Sequence, residues 1–235
     1  MDKIFTSPLF GLVLSMGVYV LMTKVQKVLK SDLFNPLLMS SIFIIAFLMI
    51  FNISYESYNI GGQFISALIG PATVALAIPL YMNLGMLAKY KRVILVSISA
   101  GVLAHAITIG VLASVLKLSP QMIATVIPKS VTTAIAADVA VSLGGISTLT
   151  VCIVIITGIF GAALAPLLNK VFHIDSPIAQ GLALGTAAHA VGTSKAIEMG
   201  KEQGIMSTLA LILTGIFTVI ISPITKIIIF GLLGI

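Results

Sequence analysis

The sequence predicts an all-α polytopic membrane protein of about eight membrane elements, two of them broken or re-entrant, with internal repeats of about 57 residues. Three observations lead there. Of 235 residues, 59% are hydrophobic and 9% charged, a composition that the surface of a soluble domain of this size cannot disperse. Apolar runs recur from end to end near the roughly 20-residue length at which a helix crosses hydrocarbon. The chain also resembles itself when slid along by 57 positions.

The eight runs are Phe5 to Thr23, Pro36 to Ile53, Phe64 to Met82, Val93 to Leu116, Pro120 to Leu143, Ile146 to Leu168, Pro177 to Met199 and Ile205 to Leu233. Only Lys3 precedes the first run as a positive charge and no small-residue cleavage site follows, so it reads as a retained helix rather than a signal peptide. The net charge of +6 comes from short turns, with Lys24, Lys27 and Lys30 after the first run and Lys89, Lys91 and Arg92 after the third. That is the positive-inside pattern. It argues against a nucleic-acid partner and places the N-terminus outside a cell membrane, together with an acidic turn from Ser54 to Gly62. Cys152, the single cysteine, lies in an apolar run and excludes an intrachain disulfide or thiolate metal site.

Under the shift of 57, Ser119-Pro120 falls on Ser176-Pro177, Gly101 on Gly158, and Val154 to Leu167 on Leu211 to Ile224 with TGIF identical. Two N-terminal helices (1–61) followed by three tandem units (62–118, 119–175, 176–232) are the expected organisation. Ser caps a helix and Pro fits its first position, so helices begin at Pro120 and Pro177. Each then meets a breaker about eight residues on, Pro128 in one and Gly185 in the other, with Gly192 a further candidate break. Two broken spanning helices meeting near the midplane, or two re-entrant hairpins, both satisfy this pattern.

Beyond the first break lie Lys129, Ser130, Thr132, Thr133 and Asp138; beyond the second lie Thr186, His189, Thr193, Lys195 and Glu198. A half-helix N-terminus inside the membrane presents free amides and a positive dipole end, which favour an anion. Hydroxyls and a cation complete such a site. On a helix His189 and Thr193 share a face, with Gly192 beside them leaving room for close approach. Lys129 reads as substrate-binding or as an interfacial lysine that snorkels. Asp138, among small and apolar neighbours, is either hydrogen-bonded structurally or a proton carrier, a role open to His189 too. Lys195 and Glu198 form an edge pair three residues apart, His105 reads as a packing histidine, and Lys226 as snorkelling. No paired intramembrane aspartates, G-x-S-x-G or HExxH occur and the histidines lack metal-ligand spacing, so neither an enzyme nor a cofactor is expected.

Pro128 to Gly145 (PKSVTTAIAADVAVSLGG), Thr157 to Leu168 (TGIFGAALAPLL) and Ile178 to Gly200 (IAQGLALGTAAHAVGTSKAIEMG) together resemble the LrgB/CidB family of antiholin-like, holin-associated bacterial membrane proteins. Relatives include the LrgB-like half of a plastid glycolate/glycerate translocator and pairs implicated in pyruvate uptake. The resemblance implies a carrier of small monocarboxylates (glycolate, glycerate, lactate or pyruvate type), a small LrgA/CidA-like partner protein and a homo- or hetero-oligomer. The carrier is the leading expectation; the runner-up is an antiholin-like regulator of membrane permeability, murein hydrolase activity and autolysis. Ala134 stands where many relatives have a second proline, and Asp138 where many have Glu. The only arginine, Arg92, lies in a turn, so phosphate or a dicarboxylate would lack the forked cation it prefers.

Overall fold

The computed structural model describes residues 5, 7–29, 36–75 and 77–234, apart from the side chain of Thr73. Lys3, Lys30 and the N-terminus, on which the sidedness argument draws, lie outside them. Among the described residues every regular element is a helix, and five stretches are long and apolar enough to cross a membrane: Pro8–Leu29, Tyr55–Met82, Leu84–Leu116, Ser147–Val171 and Lys201–Leu233.

The chain forms two compact units, Met1–Ala75 and Leu76–Ile235. The first contains α1 (Pro8–Leu29), α2 (Pro36–Ile50), α3 (Tyr55–Ser66) and α4 (Ile69–Ala75). Lipid is as apolar as leucine, so helices in a membrane associate through close packing and polar contacts. Gly11 of α1 and Gly61 of α3 supply the first: a Cβ on Gly61 would lie 2.8 Å from the Gly11 amide nitrogen, and a Cβ on Gly11 would strike the Tyr58 carbonyl. Ser15 and Tyr58 supply the second, with hydroxyls 2.7 Å apart. The stretch expected to be an acidic turn from Ser54 to Gly62 is mostly helix, because Ser54 accepts from the Ser57 amide at 3.2 Å and caps α3 there.

The second unit contains α5 (Ala77–Met82), α6 (Leu84–Leu116), α7 (Pro120–Val126), α8 (Thr133–Ser142), α9 (Ser147–Val171), α10 (Pro177–Met199) and α11 (Lys201–Leu233). Lys89, Lys91 and Arg92, expected in a turn, sit within α6, which is bent at Tyr90 (φ −109°, ψ 18°). Three long helices, α6, α9 and α11, form the frame. At one end Ile94, Ile98 and Val102 of α6 pack with Leu182, Met206 and Leu209. At the other end Ile109 and Ala113 pack with Ile123, Leu143 and Ile229.

The two polar segments are hairpins. Ser119 and Ser176 cap their first arms, accepting from Met122 N at 3.3 Å and Ala179 N at 3.5 Å. In the first hairpin the return arm α8 lies back along α7: Val139 and Leu143 pack on Ile123 and Ile127, and a Cβ on Gly145 would meet Thr125 N at 2.7 Å. In the second, α10 reverses on itself at His189, so that Ala196 packs on Leu184 and Ala188, and Gly192 lies against the Leu184 carbonyl. Gln180 near the start of α10 is then beside Gln203 at the start of α11, 3.3 Å apart. A straight helix of this length would separate those ends by about 35 Å at 1.5 Å per residue. Of the two arrangements the sequence allows, the structure adopts hairpins. They enter from opposite ends of the frame, since the first adjoins the start of α9 through Thr150 and Thr125, and the second follows its end through Gln180 and Ile174.

Candidate functional site

The first tip runs from Ile127 to Thr132. Pro128 ends the inbound arm, Lys129 N bonds back to Val126 O at 3.1 Å, and Thr132 (φ −61°, ψ 149°) starts α8 without a side-chain cap. Breaking a helix frees carbonyls that need a donor. His105 of α6 provides one, its Nε2 lying 2.8 Å from Ile127 O. Since a carbonyl only accepts, the proton is on Nε2, and Nδ1 accepts from Ser130 Oγ at 3.2 Å. The packing histidine of the sequence reading is thus the clamp on the first tip.

The second tip is His189 itself, at φ 43° and ψ −132°. The expected breakers were Gly185 and Gly192. Both stay helical because their missing side chains serve packing: Gly185 admits the Ser207 carbonyl and Ala210, and Gly192 admits the inbound arm. A histidine at positive φ costs roughly 1 to 3 kcal/mol and persists only where its surroundings over-determine it. Here they do. Nε2 donates to Val154 O of α9 at 3.0 Å, while Ser207 donates to Thr193 (2.9 Å) and Thr193 to His189 O (2.9 Å). The ring rests on Gly158, where a Cβ would come within 2.6 Å of Cε1, and Ala188 rests on Gly161 in the same way.

Both tips converge on Val154. Its carbonyl holds His189, and its buried side chain packs with Val131 and Ala136 of the first hairpin. The structure therefore gathers Lys129, Ser130, Thr132, Thr133, Thr186, His189 and Thr193 on or within about one turn of the tips. It does not gather the rest. Asp138 lies on the exposed side of α8, opposite buried Ala136, Val139 and Ala140; Lys195 pairs with Glu198 at 3.4 Å near the base of the second hairpin, with Glu198 60% exposed. Lys226, read as snorkelling, donates to Leu143 O at 2.8 Å and so ties α11 to the end of α8. Sequence reasoning missed Val154, whose contribution is a backbone carbonyl, and Ser207 and Gly158. The TGIF identity, which contains Gly158, was the available signal for the last. Among the described residues no group of three or more His, Cys, Asp or Glu could hold a metal ion.

Apolar spanning helices around two opposed polar hairpins define a multi-pass α-helical membrane protein with a buried polar centre. Residues 15–227 match the model of the LrgB-like family. The chain is 38% identical over 218 residues, 92% of its length and 95% of theirs, to the antiholin-like protein LrgB of Bacillus cereus strains B4264 and AH187 and of Bacillus anthracis strain CDC 684 / NRRL 3495. It belongs to the LrgB-like family. No solved structure matches it.

Proposed function

We propose that this chain is a non-enzymatic, antiholin-like protein of the cytoplasmic membrane, restraining permeability and autolysis together with a small holin-like LrgA/CidA-type partner. The supporting observation is the 38% identity, over nearly full length, to relatives that carry the antiholin-like name. Vesicles holding the partner alone, this chain alone, or both provide the test through release of an entrapped dye. The reading requires release by the partner to fall when this chain is present; equal release with and without it abandons the reading.

A second reading is a carrier of small monocarboxylates of the glycolate, glycerate, lactate or pyruvate type, with His189 or Asp138 taking a coupling proton. It is favoured by the meeting of two polar hairpin tips against Val154. A plug needs no such centre, whereas opposed hairpins with polar tips at mid-depth suit a solute site reached from either face. In this reading the two hairpin-and-helix units are inverted copies. Uptake of labelled acids into the same vesicles decides it: no accumulation above empty vesicles, with or without the partner, eliminates the carrier.

A further inference from the structure

In the first unit, α2 and α3 both pack along α1 and leave an open cleft of about 460 Å³ between them. Eight of its thirteen lining residues carry a hydroxyl or an amide, and among the described residues none of those lining it is charged. Ser15 lies about 10 Å along α1 at a rise of 1.5 Å per residue, inside a helix long enough to cross hydrocarbon. Hydrocarbon penalises polar groups left open at that depth, so the cleft calls for a polar occupant.

At four of the lining residues the hydroxyl proton is already spent. Ser15 donates to Gly11 O at 2.7 Å, Ser40 to Pro36 O at 2.5 Å and Ser41 to Leu37 O at 2.9 Å. With its own proton committed, Ser15 can only accept from Tyr58, whose hydroxyl is 2.7 Å away. These four therefore offer lone pairs to the cleft and match an occupant that brings donors. Tyr19, Tyr55, Asn59 and Ser66 line the same space with hydrogen-bonding capacity that no described residue takes up. Three tyrosine rings are among the walls, Tyr55 and Tyr58 with centroids 6.3 Å apart and planes tilted by 43°. A tyrosine face is partly negative and receives the C–H side of a ring. An anion finds no cation in this lining and an ammonium no carboxylate, so either would sit there unpaired.

We propose that this cleft is a binding site for a neutral polyhydroxylated ring, a sugar, either free or as the head of a membrane glycolipid. Its hydroxyls donate to the lone pairs of Ser15, Ser40, Ser41 and Tyr58, and its C–H face lies on Tyr55. The site belongs wholly to the first unit and shares no residue with the two hairpin tips.

Tyrosine emission reads the test, since the chain has no tryptophan and three of its five tyrosines line the cleft. The full chain is purified in a polyoxyethylene detergent, because a maltoside or glucoside would itself occupy the site. Free glucose and a monoglucosyl diacylglycerol are titrated separately, with sugar-free diacylglycerol as the blank and glucosamine and glucuronate as charged comparisons. A saturable change with glucose identifies a free sugar, and one with the glycolipid alone identifies a lipid head; no change with either, or the same change with the blank, overturns the proposal. Ser40→Ala and Tyr55→Ala each weaken binding about fivefold, the worth of one contact of about 1 kcal/mol. Tyr55 is 65% exposed, so its variant melts with wild type, and Tyr81→Ala, outside the cleft, leaves binding unchanged. Binding that neither cleft variant weakens, or tighter binding of glucosamine or glucuronate than of glucose, overturns it as well.

Discussion

His189 Nε2 lies 3.0 Å from the carbonyl oxygen of Val154, and this contact fixes the depth at which the second hairpin turns. His189→Ala removes the bond and keeps the unfavourable φ, lowering stability by about 1 to 3 kcal/mol. His189→Gly also removes it but relaxes the backbone. The glycine variant therefore melts above the alanine variant, the reverse of the order in an ordinary helix, where Gly is about 1 kcal/mol worse than Ala. Circular dichroism melts in detergent check this, and a glycine variant that melts first contradicts a strained tip.

The glycines that seat the hairpins differ in what faces them. A Cβ at Gly158 meets the rigid imidazole at 2.6 and 2.7 Å, whereas at Gly215 it meets only the flexible end of Ile135 at 2.9 Å. Gly158→Ala displaces His189 and costs about 1 to 3 kcal/mol, while Gly215→Ala costs under about 1 kcal/mol. Melting temperatures of the two variants, measured side by side, would rank the other way if the ring did not rest on Gly158.

His105 satisfies the Ile127 carbonyl, freed where the inbound arm ends, so His105→Ala destabilises by about 1 to 3 kcal/mol. Ser130→Ala removes only the longer bond to Nδ1 and costs less. In the double variant the serine change adds nothing, because its partner is already gone. Additive losses across the four proteins would show that the pair does not act together.

Lys226 and Lys195 look alike in sequence and differ in consequence. Lys226→Met frees the Leu143 carbonyl at the base of the first hairpin and costs about 1 kcal/mol or more. Glu198→Gln breaks a pair with an exposed carboxylate and changes stability by less than about 0.5 kcal/mol. Protease sensitivity at the loop from Gly144 to Ile146 should rise in the first variant alone.

The membrane class and the Ser-Pro helix starts were legible because they depend on composition and on local capping chemistry, which the residues carry with them. The break at Pro128 was legible for the same reason. The break at His189 was not: nothing local turns a histidine to φ 43°, and three contacts from α9 and α11 hold it there. Gly185 misled because glycine serves two purposes, a weak helix and a close approach, and only the structure shows that Ser207 and Ala210 fill the space beside it. The exposure of Asp138 was not legible either, since its apolar neighbours in sequence occupy other faces of α8.

The partners of the second tip are made at different times. Val154 leaves the ribosome before His189, but Ser207 leaves after it, so the nascent hairpin has the carbonyl that receives its ring and not the hydroxyl that steadies its return. A polar reversal of this kind cannot rest alone in hydrocarbon. The second tip is therefore complete only once α11 has brought Ser207 to Thr193.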